Sequence, residues 1–307
     1  MKQIRIITGS GSATESLAWI GTKAGIFTRH GLEAVFPRLE VGGPEAAAGL
    51  VRGDWDFVHT GTAPIAESVL QGNDPVVLLR NHLPTTNIIV LTRRDLVSLD
   101  QLHGKTVGVL TDAYSGQAGI IARLSIEASG AKANYVGLGT YQNIYNAILD
   151  GTADAGALPL EYRFLGQGGH GLNSFDTEVS TLPTIFATTR RLIASDRNCV
   201  VRAVKAVVET VHLFKTRPDS VAPILQGLLG FDNGNAVAEY CKYYVPFLPE
   251  IPTPALEDAI PPLQALFANK YPAARSLKAS DISDTSIIEE VERTGFVDKL
   301  YGSNART

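Results

Sequence analysis

A short phrase that occurs twice constrains the fold more than any other feature of this chain. It occupies residues 50–58 and recurs at residues 148–156, with the shared pattern Gly-x-x-Asp. Each copy follows a stretch with helical character, so Gly53 and Gly151 are expected to end a helix in the left-handed conformation that glycine adopts at little cost. A short buried strand then follows the aspartate. Two such units predict two similarly built α/β lobes, and such proteins commonly bind small molecules between the lobes.

The composition is that of an ordinary globular protein. The 307 residues are 45% hydrophobic and 19% charged, and this length favours two domains. The formal net charge of −4 gives no reason to expect nucleic acid or an anionic membrane as a partner. No apolar run approaches the roughly 20 residues that span a bilayer. We therefore expect a small-molecule ligand and no nucleic-acid partner.

The start of the chain leaves its cellular location open. The first residues lead directly into a predicted strand at residues 4–8, without the charged and apolar regions of a secretory signal. Either the protein is cytoplasmic, or it is periplasmic or extracellular and a leader was trimmed from it. Cys199 and Cys241 lack metal-ligand spacing and lie on separate predicted helices. We expect two free thiols, with a disulfide possible only if the protein is exported.

Strand–loop–helix units recur along the chain. A strand at residues 3–9 runs into a small, polar segment before an amphipathic helix, whose N-terminus offers free backbone N–H groups. This segment is expected to cradle a ligand; the alternative is an ordinary helix cap formed by Ser12 or Thr14. The same order of elements returns in the second half, where residues 111–116 precede a helix at residues 117–129.

The chain is expected to cross between the lobes twice. It leaves the first lobe around residue 93, and residues 184–188 form the strand that returns to it. Lobe one is thus predicted to comprise residues 1–93 and 189–307, and lobe two residues 94–188. The C-terminal part is predicted to be helical from residue 196 onward and to pack on lobe one. Two crossings make a hinge, which permits closure around a ligand.

Four segments carry a resemblance to a known family: residues 15–32, 53–56, 98–109 and 147–155. In this order they resemble the nitrate, sulfonate and taurine substrate-binding proteins of ABC importers. The proteins that bind or make thiamine pyrimidine precursors belong to the same broad group. The resemblance implies an α/β, two-lobed periplasmic-binding-protein-like type II fold with a central ligand cleft and a helical C-terminal region. It covers nearly the whole chain and is specific for the fold rather than for the ligand.

The resemblance also implies which residues contact a ligand, since family members use the loops that follow strands in both lobes. The implied ligand-binding residues are Ser10, Ser12, Thr60, Gly61 and His82 in lobe one and Asp112, Tyr114, Ser115 and Glu161 in lobe two. These loops lie where α/β sheets expose strand C-termini and helix N-termini.

The class of ligand stays open. A sulfonate or nitrate suits several helix N-termini that point at one anion. However, the predicted loops carry the carboxylates of Glu15, Asp112 and Glu161, which favour a ligand with N–H donors or a heteroaromatic ring. The nearby cations are Lys23, Arg80 and Arg163, and the aromatic residues that could stack on a ring are Tyr114, Tyr141 and Tyr162.

The histidines lack a metal-ligand spacing, and we expect no metal and no cofactor. His59 falls on a predicted strand and is interpreted as a structural residue, whereas His82 lies on a loop expected at the cleft. The absence of a cysteine cluster argues against the pyrimidine-synthase activity found in the resembling group.

Two functions follow from these observations. The first is a monomeric solute-binding protein that captures a small polar or aromatic molecule for an ABC importer and, if exported, meets its permease. The alternative is a cytoplasmic enzyme on the same fold, such as a decarboxylase, hydrolase or isomerase of a small carboxylated or cyclic substrate. His82, Asp112 and Glu161 would then supply acid–base chemistry.

Overall fold

A computed structural model describes residues 1–81, 88–177 and 182–302 of the chain. The strands are β1 (Lys2–Thr8), β2 (Leu32–Val35), β3 (Phe57–Gly61), β4 (Pro75–Arg80), β5 (Ile88–Thr92), β6 (Thr106–Val109), β7 (Asn134–Gly137), β8 (Ala155–Pro159), β9 (Asn173–Asp176) and β10 (Thr184–Thr189). The helices are α1 (Leu17–Lys23), α2 (Ile26–Arg29), α3 (Gly43–Arg52), α4 (Thr62–Leu70), α5 (Gln117–Ala128), α6 (Tyr141–Asp150), α7 (Glu161–Gly169), α8 (Arg190–Ser195), α9 (Arg197–Thr216), α10 (Pro218–Leu229), α11 (Gly234–Tyr244), α12 (Ile260–Phe267), α13 (Ala279–Ile282), α14 (Ser286–Arg293) and α15 (Phe296–Tyr301).

The strands form two sheets with the same internal plan. Their orders are β2-β1-β3-β10-β4 and β7-β6-β8-β5-β9. In each sheet the first three strands are parallel and the fourth is antiparallel to both of its neighbours. Helices connect the parallel strands, as the right-handed crossover of a βαβ unit requires. The two lobes predicted from the repeated phrase are therefore two copies of one α/β plan.

The glycines of the repeated phrase end helices, as predicted. Gly53 follows α3 with a φ of 83°, and Gly151 follows α6 with a φ of 81°. Both values lie in the left-handed region, where a residue with a Cβ atom is strained. This geometry turns the chain from each helix into the next strand of its sheet.

The aspartates of the repeated phrase bind the neighbouring strand. The carboxylate of Asp56 accepts a hydrogen bond from the backbone N–H of Arg5 at 2.7 Å, and that of Asp154 accepts one from Thr106 N–H at 2.9 Å. In return, the backbone N–H of Asp56 donates to the carbonyl of Arg5, and that of Asp154 donates to the carbonyl of Thr106, both at 2.9 Å. The phrase thus sets the register where β3 and β8 begin.

The two strands at the lobe crossings, β5 and β10, lie in different sheets. β5 pairs with β8 and β9 in the second sheet, and β10 pairs with β3 and β4 in the first. The prediction that residues up to 93 belong to lobe one therefore misplaced β5, and the predicted boundary at 188/189 falls inside β10. Residues 184–188 do form a strand of the first sheet. β5 is buried along its whole length, and its apolar sequence alone did not indicate which of the two sheets it would join.

The C-terminal helices contact both lobes rather than lobe one alone. α9 packs against α1 and α14 on lobe one. α11 packs against α7 of lobe two, where the rings of Phe164 and Tyr240 lie 5.8 Å apart. The rings of Tyr162 and Phe231 are 5.0 Å apart in the same region. These aromatic side chains bury large apolar areas where the helices meet, which corrects the prediction that the helices cover only lobe one.

Both cysteines are buried free thiols, Cys199 on α9 and Cys241 on α11. Burial raises the pKa of Cys199 above its ordinary value and that of Cys241 to about 12. No helix within residues 1–81, 88–177 or 182–302 is long and apolar enough to cross a membrane.

Replacing Gly151 with valine is expected to destabilise the fold by about 2 kcal/mol, because a β-branched residue is strained at positive φ. No atom lies within 4 Å of a Cβ placed at this position, so the loss reports backbone strain alone. Chemical denaturation measures the effect. As a control, Gly227→Ala in the interior of α10, which is equally free of neighbours, is expected to stabilise the protein by about 0.5–1 kcal/mol. A wild-type unfolding free energy for Gly151→Val would contradict the capping role.

Candidate functional site

A small cavity lies between the two lobes, at the ends of the strands opposite to the repeated phrase. Its volume is about 30 Å³, close to the share of one water molecule in the liquid. Because both lobes contribute to its lining, separation of the lobes would widen the cavity. The lining residues are Gly9, Ser10, Glu15, Gly43, Thr60, Gly61, Pro64, Leu110, Thr111, Asp112, Gly116, Gln117, Ala118, Gly119 and Tyr141.

Two carboxyl groups from different lobes are buried at this junction. Glu15, in the short 3₁₀ helix after β1, is 7% exposed and accepts a hydrogen bond from the Ser10 N–H at 2.7 Å. Glu161, the first residue of α7, is 2% exposed, and its Oε1 accepts a bond from Ala13 N–H of lobe one at 2.8 Å. Its Oε2 has no hydrogen-bond partner among the described residues. The junction thus contains an acceptor whose bonding capacity is unused.

Burial raises the pKa of both carboxyl groups, so that each is a weaker acid than an exposed glutamate. Desolvation raises the pKa of Glu15 to about 8, with a smaller contribution from the charge of Glu161. Desolvation likewise raises the pKa of Glu161 to about 7, although hydrogen bonds from backbone N–H groups oppose the shift. The pKa of Tyr141 is raised, first by burial and then by the charges of Glu15, Glu161 and Glu40. Ionisation of Tyr141 is therefore disfavoured by its burial and by these acidic side chains.

Gln117 forms a second bridge between the lobes. It is the first residue of α5, and its Oε1 accepts a hydrogen bond from Ala63 N–H in the first turn of α4 at 3.2 Å. Its Nε2 donates to the carbonyl of Leu182 at 2.8 Å. A neutral side chain that both donates and accepts satisfies two buried backbone groups. Together with the Glu161–Ala13 bond, it joins both lobes at the edges of the cavity.

His59 lies in the centre of β3 and is fully buried. Neither ring nitrogen has a hydrogen-bond partner in the part of the chain that the structure describes. The ring packs edge-on against Phe186, with the centroids 4.8 Å apart. Burial lowers the pKa of His59 to about 3, so the imidazole is neutral. This location agrees with a residue of the core rather than a surface ligand.

The structure brings together part of the predicted site. Ser10, Thr60, Gly61 and Asp112 line the cavity. Ser12 lies beside them, buried, with its hydroxyl 3.3 Å from that of Ser10. Ser12 occupies the N-cap position of the short 3₁₀ helix, as the alternative interpretation predicted, but its side chain makes no capping hydrogen bond. Glu161 joins the site through the lobe junction, and His82 lies outside the described residues.

Asp112, Tyr114 and Ser115 form a turn of their own. The Asp112 carboxylate accepts hydrogen bonds from the backbone N–H groups of Tyr114 at 2.6 Å and Ser115 at 2.7 Å. Desolvation opposes ionisation of Asp112, but the bonds from Ser115 and Tyr114 outweigh it and lower the pKa. The ring of Tyr114 is 70% exposed and packs on Arg123, 4.9 Å away. Tyr114 and Ser115 are absent from the cavity lining.

The cations expected near the cleft are engaged elsewhere. Lys23 lies over the ring of Trp19 at 4.5 Å. Arg80 pairs with Asp258, and Arg163 bonds to Ser174 and Asp176. Among the residues described, the cavity lining contains no lysine, arginine or histidine. The site is therefore acidic.

Several lining residues were missed by the sequence analysis as ligand contacts. They are Gly9, Gly43, Pro64, Leu110, Thr111, Gly116, Gln117, Ala118 and Gly119; Glu15 was considered only as a carboxylate near the loop, and Tyr141 only as a ring that could stack on a ligand. Gln117 and Tyr141 are the first residues of α5 and α6, so a search for polar residues at every helix start could have found them. Within the described ranges, no group of three or more His, Cys, Asp or Glu could hold a metal ion.

Solved structures share this fold over nearly the full chain. A protein of Bordetella bronchiseptica RB50 is 14% identical with a TM-score of 0.81, covering 98% of both chains. The alkanesulfonate-binding protein SsuA of Xanthomonas axonopodis pv. citri, bound to MOPS, is 16% identical with a TM-score of 0.73, covering 92% of this chain and 99% of its own. The periplasmic nitrate-binding protein NrtA of Synechocystis PCC 6803 is 11% identical with a TM-score of 0.73, covering 96% and 89%. No protein-family profile and no curated sequence matches the chain. The predicted two-lobed periplasmic-binding-protein fold is confirmed.

Raising the pH is expected to open the lobes of the ligand-free protein. The closed form binds protons on Glu15 and Glu161 that hydrated carboxylates lose near pH 4.5, the ordinary glutamate value. These protons thus stabilise the closed form fully below that pH, and the stabilisation is lost as the pH rises through about 7 to about 8. Small-angle X-ray scattering should show a radius of gyration that increases between pH 5 and pH 9.

The double variant Glu15→Gln/Glu161→Gln should lose this pH dependence, because glutamine keeps a side-chain oxygen acceptor but does not titrate. Glu33→Gln, which removes an exposed acid of β2, should keep it. A wild-type radius that stays constant over the range would contradict the buried-acid interpretation.

Proposed function

We propose that the chain is a solute-binding protein that captures a small molecule between its lobes for an ABC importer. The observation that carries this proposal is the cavity lined by loops of both sheets, with hydrogen bonds that run from each lobe to the other. The fold shared with an alkanesulfonate-binding and a nitrate-binding protein over more than nine-tenths of the chain supports the same assignment.

Capture follows from the way the lobes are connected. Each lobe presents the loops that follow its parallel strands, and the starts of α3, α4, α5 and α6 contribute residues to the cavity or its edge. Separation of the lobes breaks the bonds of Gln117 and Glu161 and exposes these groups to a solute. Closure then removes water, so that each hydrogen bond to the solute contributes more than it would in an open cleft.

Partner and location follow from this function. An importer permease would meet the closed, loaded form, since closure changes the relative position of surfaces on the two lobes. Such a protein acts outside the cytoplasmic membrane, as the periplasmic nitrate-binding relative does by its name. We propose that this chain works there as a monomer, because one chain contains both halves of the cavity.

A second candidate function is catalysis on the same scaffold. The buried carboxyl groups of Glu15 and Glu161 have pKa values of about 8 and about 7, which suit general acid–base chemistry near neutral pH. In this candidate they replace Asp112, whose carboxylate is occupied by its own turn. The two functions differ in one respect that is measurable: a binding protein returns its ligand unchanged.

Incubation with a mixture of small metabolites tests both candidates. The protein is separated from the mixture by rapid filtration, and bound and free compounds are measured by mass spectrometry. We expect one compound to be retained, recovered intact, and to reduce the radius of gyration in solution scattering. A compound that is consumed while a new mass appears would establish the enzyme instead. Retention of no compound at all would contradict the solute-binding proposal.

Narrowing the cavity should weaken capture, and thermal melting of the variant verifies that it is folded. A Cβ at Gly9 would lie 2.5 Å from Thr60 Oγ1 and 3.2 Å from Glu15 Oε2, so Gly9→Ala narrows the site. We expect at least a tenfold loss of affinity, or about 1.4 kcal/mol, measured by calorimetry. Gly227→Ala, which adds the same methyl group in open space, should bind normally. Equal affinities for the two variants would place the ligand elsewhere.

A further inference from the structure

The charge of the site restricts its ligand, given that the chain is the solute-binding protein proposed above. Glu15 lines the cavity, and Glu161 of the opposing lobe accepts a hydrogen bond from the N–H of Ala13, two residues before Glu15. Lys23, Arg80 and Arg163, the basic residues expected near the cleft, are all bonded to other groups. Among the lining residues that the structure describes, an anion would meet the carboxyl group of Glu15 and no lysine, arginine or histidine.

The carboxyl groups also have bonding capacity that the closed protein does not use. Only 2% of Glu161 is exposed, yet its Oε2 accepts no hydrogen bond from any of the residues described. An unpartnered buried carboxylate oxygen is costly, and a bound ligand with an N–H group would supply the missing donor. Its other oxygen is held by Ala13 N–H, two residues before Glu15, which directs both acids to the same junction.

A third acid and an aromatic side chain complete the surroundings. Glu40 lies over Gly11, where a Cβ would clash with its carboxyl group. Tyr141 lines the cavity, and its hydroxyl lies close enough to Glu15, Glu161 and Glu40 to be influenced by their charges. Aromatic faces and carboxylates together form the usual environment of an organic cation in proteins.

We propose that the cleft binds a small organic cation of the amidine or guanidine type, held by N–H bonds to Glu15 in lobe one and Glu161 in lobe two. A planar cation with several N–H donors can bond to two carboxylates at once. Because the carboxylates belong to different lobes, a cation that bonds to both of them connects the lobes. The cation therefore neutralises the buried acids and joins the lobes in one step, unlike the sulfonate or nitrate of the structural relatives.

Two series of matched probes test the charge of the ligand while keeping its shape. The first compares benzamidinium, benzamide and benzenesulfonate; the second compares guanidinium, urea and nitrate. Affinity is measured by calorimetry and closure by solution scattering. We expect the cation of each series to bind at least tenfold more tightly than its neutral and anionic counterparts, with a decrease in the radius of gyration.

The outcomes separate this inference from the proposed function. Tighter binding of the neutral or anionic member, with closure, would overturn the cationic ligand class and leave the solute-binding proposal in place. Binding of no cation from either series would also overturn the ligand class. In that case the metabolite-mixture experiment, which makes no assumption about charge, decides separately whether the chain is a solute-binding protein.

Substitution of the two acids provides an independent test. Glu15→Gln and Glu161→Gln should each weaken benzamidinium binding at least tenfold while benzamide binding changes little, because only the charge is removed. Glu33→Gln removes the same charge from an exposed position on β2 and should leave both affinities unchanged. Thermal melting of each variant verifies that it is folded. Wild-type affinity for benzamidinium in both site variants would contradict the proposal.

Discussion

The hydrogen bond from Ala13 N–H to the carboxyl group of Glu161 connects the two lobes at the cavity. It brings a second buried acid to the lobe junction near Glu15, and burial makes ionisation costly for both groups. The closed form consequently requires protons or a positive charge at this junction. The raised pKa values arise from burial of both acids at this junction, and the inferred ligand class rests on the same burial.

The repeated phrase has a structural role, separate from that contact. In both lobes a left-handed glycine ends a helix, and an aspartate binds the backbone of the adjacent strand. The phrase precedes β3 and β8, whereas the cavity follows the opposite ends of the strands. The repeated phrase thus belongs to the similar architecture of the two lobes, whereas the cavity is lined by loops whose sequences differ between them.

The sequence predicted most of the fold, because its signals are local. Glycine at a helix end and the alternation of strands and helices each depend on a few neighbouring residues. It misplaced β5, whose apolar residues Ile88 to Leu91 could be buried equally well in either sheet. The candidate site was predicted only in part. Ser10, Thr60, Gly61 and Asp112 line the cavity, whereas Tyr114 is absent from the lining and its ring is largely exposed.

By itself, the sequence determined the α/β class, the duplication of the lobes and the loops in which a site could form. Tertiary structure decided which side chains of those loops meet. Gln117 and Tyr141 line the cavity because α5 and α6 begin beside the opposing lobe. Lys23 is not in the lining and instead lies over the ring of Trp19. The acidity of the site depends on distances between residues that are far apart in the chain. Such distances arise only when both lobes are packed together, so no local pattern of residues encodes them.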